Sequence, residues 1–408
     1  MRILVVCQHY WPEPFNVAET CSILRDLGHE VVVVTGLPNC PQGYVLDEYR
    51  NGRNRRQVID SIEIRRAWLI PRGENLEGFN KAKRIANYFS VAIAASSRKL
   101  VNDIDFDVVL CIQFSPVLMA YPALRHSKRR GKPCIVYSYD LWPEDLLTGG
   151  LSRTGLPYNI MKYLSKRIYS SSDAIAITSP DFQTYFEDEL GITEKPYFYL
   201  PQYAEEQFEV IGQARNAARE STEITFAGNI GGNQSIENVV RAAALTKGKA
   251  NVRINIIGSG SKLDECRHLA DELEADNVVF YGRQPFENMP QYYSQADAML
   301  LSLASPSNDS KTTTYTIPRK LQSYLAAGKP VICSADGIAA RIVSENRLGL
   351  TCAADNPYAL ADTFISFAAI DEDARNAMAE ASRDYYLKEF SRKSFAVRID
   401  ELLKQVTK

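Results

Sequence analysis

An α/β fold of two Rossmann-like, doubly wound domains facing a central cleft follows from three features of the sequence. The chain has 408 residues, and single hydrophobic cores stop growing well below that size. Its strand candidates are continuous apolar runs separated by helical stretches, the pattern of a parallel sheet covered on both faces. That pattern runs to about residue 200 and starts afresh after Pro201.

RILVVCQ opens the first half as a strand, AETCSILRDLG follows as a helix ending at Gly28, and HEVVVVTG is the next strand. IEIRRAWLI, DVVLCIQF, PCIVYSY, DAIAITS and PYFYLP continue the series, with helical stretches between most of them. The second half reads EITFAGN, the helix SIENVVRAAALTKG, VRINIIGSG, the helix KLDECRHLADELEA, then NVVFYGR, ADAMLLSL, KPVICSA and LGLTCAA. The expected division is an N-terminal domain over 1–203 and a C-terminal domain over 204–387. A closing amphipathic helix over 388–408 crosses back to the first domain, and the joint lies near 200–212. In open sheets of this kind ligands bind outside the carboxyl ends of the strands, and that rule sorts the candidate residues.

Composition narrows the class. Hydrophobic residues make up 45% and charged residues 24%, with a formal net charge of −2, which argues against a general nucleic-acid binder. Residues 50–100 nevertheless carry 12 Lys and Arg against 4 Asp and Glu. A membrane surface or an anionic acceptor suits that patch; so does a solvated loop and helix face. Cys7, Cys111, Cys134 and Cys333 sit in strand-like runs and no CxxC occurs, as expected of buried thiols in a reducing, cytoplasmic compartment. The four histidines show no zinc spacing, so no metal is expected. MRILVVCQHY is too short an apolar stretch for a signal peptide, and no clean run of 18 apolar residues marks a membrane span.

Six stretches carry candidate chemistry. FAGNIGGNQS places Gly228, Asn229, Gly231 and Gly232 between a strand and a helix, where backbone N–H groups and the helix N-terminus suit an anion. Such a turn also needs glycine for purely backbone reasons. GSGS repeats the arrangement with Gly258 and Gly260 at the next strand end. In YTIPRKLQSYLAAGKPVI, Pro318 suits a first helical turn, which puts Arg319 and Lys320 at a helix N-terminus. The dipole disfavours cations there, so an anion between them is one reading and an exposed surface pair the other. Arg283, just past NVVFYG, lies at another carboxyl end. A metal-free diphosphate site needs such cations to take up leaving-group charge.

The remaining stretches lie in the first half. Asp105 and Asp107 of DFD precede their strand, at the amino end, and read as solvated turn residues. YDLWPED puts Asp140 and Glu144 at the correct end, with Trp142 as an apolar wall. A carboxylate there orients or deprotonates an acceptor hydroxyl or faces a developing oxocarbenium ion; a helix cap near Pro143 is the plainer alternative. His9 ends the first strand in the same region, and WPEPFN with Asn16 follows it. In KAKRIANYFSVAIAASSRK, Ile85, Tyr88, Phe89, Ala92 and Ile93 fall at helical spacing between basic flanks. That stripe either lies on a bilayer or packs on the protein's own sheet.

Taken in order, YWPEPF, GHEVVVVTGLPNCPQG, IPRGEN, NYFS, YDLWPEDLLTGG, FAGNIGGNQ, GRQPFENMPQYYSQADAMLLSL, IPRKLQSYLAAGKPVI and GLTCAADNPYALAD resemble family 4 glycosyltransferases of the GT-B fold. The likeness runs essentially end to end. It is greatest to the bacterial L-fucosamine (N-acetylfucosamine) transferases of surface-polysaccharide synthesis, O-antigen and capsule among them. The resemblance implies a retaining, metal-independent enzyme with no cofactor. It implies a UDP-sugar donor in the C-terminal domain and, in the N-terminal one, a lipid-linked sugar acceptor at the inner face of the cytoplasmic membrane. Peripheral membrane contact through residues 50–100 would follow. Two glutamates common in that family, one on the donor sugar and one on the ribose, are Tyr315 and Ser323 here. A histidine common in its N-domain motif is Tyr139, and an Arg–Lys pair after the C-domain's first strand is Asn229 and Gln234. Arg283 and Lys320 are then the residues left to carry diphosphate charge. Two rivals remain: a nucleotide-sugar epimerase of the same architecture, and a non-catalytic paralogue that only binds a nucleotide sugar.

Overall fold

The computed structural model describes residues 1–73, 79–148, 150–209, 211, 220–306 and 311–408. Glu74 of IPRGEN, Gly149 of the DLWPE stretch, and positions 210 and 212 of the expected joint lie outside the described residues. Two compact units form, one of Met1–Leu200 with Ala396–Lys408 and one of Pro201–Phe395. Each is an open sheet flanked by helices.

The first unit's strands are β1 (Arg2–Val6), β2 (Glu30–Gly36), β3 (Arg56–Ile59), β4 (Ile62–Ala67), β5 (Val108–Gln113), β6 (Cys134–Ser138), β7 (Ala174–Ile177) and β8 (Tyr197–Tyr199). Among the described residues they lie in the order β3-β4-β2-β1-β5-β6-β7-β8. Every pair is parallel except β3 with β4. The sequence reading missed β3 because RQVI alternates polar and apolar residues on an edge, with Val58 exposed, and gives no continuous apolar signal. Strands β5 and β6 are buried along their whole length, which is why they read as unbroken apolar runs.

The second unit contains β9 (Thr222–Ala227), β10 (Val252–Ile257), β11 (Val278–Gly282), β12 (Ala298–Ser302), β13 (Val331–Ser334) and β14 (Gly349–Cys352). All pairs are parallel, in the order β11-β10-β9-β12-β13-β14. Its core joins β9, β10 and β12 to the helices Ile236–Leu245 and Pro357–Ala369.

Strand order reverses between β1 and β5 in one sheet and between β9 and β12 in the other. The crevice beyond the carboxyl ends at such a switch point is where doubly wound sheets bind ligands.

The closing helix is shorter than 388–408. It spans Arg392–Val406, because the preceding helix, Glu372–Glu389, ends first. The Ser391 hydroxyl then accepts a hydrogen bond from the Ser394 amide at 3.1 Å, a cap that starts a new helix. From Ala396 onward this helix belongs to the first unit, where Ile399, Leu402 and Leu403 are buried and Asp400 meets His29 at 3.3 Å. Among the described residues no helix is long and apolar enough to cross a membrane.

Candidate active site

In the second unit the two glycine turns interlock. The amide of Gly228 donates to Ile257 O and that of Ile230 to Ser259 O, both at 2.9 Å. Gly228 and Gly258 have φ of 148° and 146°, a backbone region closed to side chains. A Cβ on Gly258 would overlap the Gly228 carbonyl, one on Gly260 the Ile230 carbonyl, and one on Gly228 the Lys320 stem. Gly232 has open space around it, and only the Asn229 amide crowds Gly231. Glycine is therefore required where the turns touch each other, at 228, 258 and 260. Gly258→Ala is expected to cost about 2–3 kcal/mol of unfolding free energy, with Gly232→Ala close to neutral; urea denaturation of the two variants checks the contrast.

Beside these turns lies a cleft of 640 Å³ lined by Gly228, Asn229, Gly258, Ser259, Arg283 and Phe286, among others. Arg283 thus joins the glycines, as its place after β11 predicted. Lys320 lies beneath the same turn. Its Nζ is 4.2 Å from the centre of the Phe226 ring and is buried with no hydrogen-bond partner among the described residues. Burial pushes its pKa down from 10.5 to about 8. Such an ammonium is costly until an anion reaches it.

The helix Arg319–Ala326 sets this side chain. Tyr324, one turn on from Lys320 and so on the same face, bonds both the amide and the carbonyl of Ala227 at 3.2 Å. That clamps the helix to the end of β9. Sequence reasoning overlooked Tyr324, although its spacing of four from Lys320 was visible.

Other residues of this stretch are placed differently from the reading. Pro318 precedes the helix rather than entering it, with ψ at 138°. Arg319 separates from Lys320, is partly exposed, and pairs with Glu205. Ser323 Oγ donates to its own helix at Arg319 O, 3.3 Å, and lies 3.5 Å from Glu205. Tyr315 closes the short helix Thr312–Tyr315. The Asn229 amide reaches Gln234 at 3.5 Å, so the pair standing where the related family has cations makes a neutral contact.

In the first unit the switch point is lined by aromatic rings. His9 stacks on Phe15 at 4.5 Å, Phe15 meets Phe114 at 5.3 Å, and Phe114 meets Tyr139 at 4.6 Å. His9 Nδ1 bonds Glu13 at 2.9 Å, and the other oxygen of Glu13 accepts the amides of Asn39 and Cys40 at 2.8 and 2.7 Å. Glu13, unremarked in the sequence, therefore fixes the histidine ring and the loop after β2 together. Asn16 sits at the start of the helix Val17–Asp26, and its side chain makes no capping bond.

Asp140 accepts from the Ser115 amide at 2.8 Å and lies 3.0 Å from the Ser115 hydroxyl. Asp145 lies 2.7 Å from the same hydroxyl, which also accepts from Trp142 Nε1 at 2.8 Å. One hydroxyl proton cannot serve both carboxylates. Burial pushes both pKa values up, and the nearby Asp140 charge raises Asp145 further. Both carboxyl groups are thereby held above the usual carboxylate range. Ser115 is a further residue the sequence reading missed, although it lies just past β5 at a carboxyl end. Glu144 stands apart from this pair: it is wholly buried and bonds Arg153 Nη2 at 2.5 Å. Asp107 accepts the Arg2 amide at 2.8 Å and Asp105 faces Arg2 at 3.7 Å, at the amino end of β5 as read from DFD.

Among the described residues no cluster of three His, Cys, Asp or Glu side chains is placed to hold a metal ion.

Comparison with known proteins agrees with the fold. Residues 16–202 match the family model "Glycosyl transferase 4-like domain", and residues 207–385 match "Glycosyl transferases group 1". The chain is 26% identical over 285 residues to the probable glycosyltransferase WbjE of Pseudomonas aeruginosa, covering 67% of each protein. It is 23% identical over 357 residues to the putative colanic acid biosynthesis glycosyl transferase WcaI of Escherichia coli K12, covering 82% of this chain and 84% of that protein. The crystal structure of Anabaena Alr3699/HepE in complex with UDP and glucose superposes with a TM-score of 0.62 at 15% identity, over 99% of both chains. With one model matched in each unit, the chain joins a glycosyl transferase 4-like domain to a glycosyl transferases group 1 domain and is a glycosyltransferase of the GT-B fold.

Proposed function

We propose that this enzyme transfers a sugar from a UDP-activated donor to a lipid-linked glycan in the synthesis of a cell-surface polysaccharide, with retention at the anomeric carbon and without a metal ion. The observation that carries the reading is the buried, unpartnered Lys320 ammonium beneath the Gly228 turn, with Arg283 lining the cleft beside that turn. Those groups and the turn amides suit a diphosphate. As the bond from the anomeric carbon to the diphosphate breaks, negative charge grows on the leaving oxygen, and preorganised cations stabilise that charge. The donor assignment is supported by HepE, whose crystals hold UDP and glucose, and the pathway by WcaI, named for colanic acid biosynthesis. On this reading the transferred sugar is N-acetylated, which rests on the sequence likeness to N-acetylfucosamine transferases.

On the acceptor side the reactive group is Asp140, held by Ser115 and shifted upward by burial. It orients the acceptor hydroxyl and takes its proton as the new glycosidic bond forms. His9 and its aromatic neighbours provide a wall of rings for a sugar to pack against. Asp140→Asn keeps the shape and removes the base. It is expected to lower transfer by about 10²–10⁴-fold while leaving UDP affinity unchanged by calorimetry. The assay follows donor and acceptor together in buffer with EDTA, and a product formed without acceptor would indicate epimerisation instead. Full transfer by the Asn variant would remove Asp140 from the mechanism.

A further inference from the structure

Trp142, Asp140 and Asp145 meet at one atom, the Ser115 hydroxyl oxygen, and the hydrogen bonds there can be counted. A hydroxyl offers one proton and two lone pairs. Trp142 Nε1 can only donate, and it takes one lone pair at 2.8 Å. Asp140 Oδ2 lies at 3.0 Å and Asp145 Oδ2 at 2.7 Å. The single Ser115 proton satisfies one of these carboxyl oxygens. The other then faces the second lone pair, and two lone pairs that close repel unless a proton lies between them. All three contacts close only when one of the two acids is protonated.

A fourth bond says which acid that is. Asp140 Oδ2 also accepts the Ser115 amide at 2.8 Å. An oxygen that accepts from a backbone N–H and from a hydroxyl behaves as a carboxylate oxygen, because the O–H oxygen of an acid is a weak acceptor. The Ser115 proton therefore goes to Asp140. The proton of the pair sits on Asp145 and points at Ser115.

The surroundings agree. The groups next to the pair on the sheet side are neutral and already engaged. Tyr169 donates to Gln113 Oε1 at 2.8 Å, and the Ser138 hydroxyl lies 3.0 Å from both Gln113 Oε1 and the Asp140 carbonyl. The Arg153 guanidinium is drawn to Glu144 and Glu189. The charges that reach Asp145 are those of Asp140 and Glu144, both negative, and together with burial they push its pKa up. A second negative charge here would have no cation to balance it.

We infer that Asp145 is a positioning residue: a neutral acid that donates to Ser115, turns the Ser115 hydroxyl toward Asp140 and keeps the pair at one negative charge, on Asp140. This rests on the reading that Asp140 takes the acceptor proton. The Ser115 amide and hydroxyl both hold Oδ2, which leaves Oδ1 for the acceptor. In the transfer the acceptor O–H proton passes to Asp140 Oδ1 and the acceptor oxygen bonds the anomeric carbon. The bond to the diphosphate breaks with its electron pair on the leaving oxygen. The Asp145 proton stays in place, and Asp140 returns its new proton to water once product leaves. Without the Asp145 proton both acids would compete for Ser115, and the base would lose its fixed direction.

The test reads the proton directly. The full chain without substrates, at neutral pH, is compared with Asp145→Asn and Asp140→Asn by infrared difference spectroscopy in light and heavy water. The carbonyl stretch of a protonated carboxylic acid, moved by deuteration, is expected in the wild type and in Asp140→Asn and lost in Asp145→Asn. Turnover gives a second readout. An Asn amide at this position donates to Ser115 as the neutral acid does, so Asp145→Asn should lower transfer by only about fivefold, the scale of one altered hydrogen bond. Asp145→Leu fills a similar volume without a donor and should lower it by about 10²-fold through misorientation. A wild type without the acid band, or a band lost in Asp140→Asn and kept in Asp145→Asn, overturns the inference and leaves the transferase reading intact. Asp145→Asn as inactive as Asp140→Asn also overturns it, because the Asp145 charge would then be the working group. Full transfer by Asp140→Asn removes the base itself, and the positioning role with it, whatever the infrared band shows.

Discussion

Lys320→Ala should lower transfer by about 10²–10³-fold, the loss expected when one preorganised charge is taken from a developing oxyanion. The physical basis is the position of its Nζ, over Phe226 and under the Gly228 turn, buried and without a hydrogen-bond partner among the described residues. A charge held so is a liability in the free enzyme and an asset once a diphosphate arrives. Stability and activity should therefore move in opposite directions. Lys320→Met keeps the stem on the ring and deletes the charge, and it is expected to raise the melting temperature while losing activity as the Ala variant does. The pH dependence follows from the depressed pKa. The unfolded chain keeps the lysine proton to about pH 10.5, and the folded protein only to about pH 8. Between these values the unfolded state binds more protons, so stability of the free enzyme rises with pH; the Met variant should lack this rise. Donor binding shows the reverse trend. A bound diphosphate holds the proton on Lys320, so UDP affinity should fall above pH 8, by at most tenfold per pH unit. Unchanged turnover in Lys320→Ala, together with a lowered melting temperature, would make Lys320 a packing residue.

The parts of this architecture that were legible in the sequence share one cause. Buried parallel strands must be apolar on both faces, so β1, β2, β5 and β6 announce themselves, and their carboxyl ends can be numbered before any coordinates are known. Glycines forced by close approach, at 228, 258 and 260, stand out for the same reason, as do Lys320 and Arg283 once the ends are counted. What stayed hidden depends on side-chain direction. Arg319 and Lys320 are adjacent in sequence and look equivalent, yet successive helical positions differ by about 100°. One therefore turns to Glu205 and the other under the glycine turn. Asp140, Glu144 and Asp145 lie within six residues of one another, and periodicity cannot say which faces Ser115 and which faces Arg153. Edge strand β3 was missed because an edge needs no apolar run.

That last ambiguity leads to the other large effect, at Glu144 and Arg153. Glu144 is fully buried, bonded to Arg153 Nη2 at 2.5 Å and within 3.4 Å of the Tyr158 hydroxyl. The Arg153 side chain is 27% exposed and lies 3.4 Å from a second acid, Glu189. Burial works against the Arg153 charge, but Glu144, Tyr158 and Glu189 outweigh it and its pKa is raised. The two partners are therefore unequal. Arg153→Ala removes the cation that balances a carboxylate water cannot reach, and breaking a buried pair in that way costs about 3–5 kcal/mol. Glu144→Gln leaves Arg153 with solvent and Glu189, and should cost about 1–2 kcal/mol. Replacing both, Glu144→Leu with Arg153→Met, should recover much of the loss, because no unpaired charge remains. Urea unfolding of the three variants decides the order. The same series separates this carboxylate from the one that meets the acceptor. If Glu144→Gln abolished transfer at full stability, Glu144 would belong with Asp140 in the chemistry. If stability falls and the surviving folded protein still transfers sugar, the DLWPE turn carries one carboxylate for structure and another, three residues after Tyr137, for the reaction.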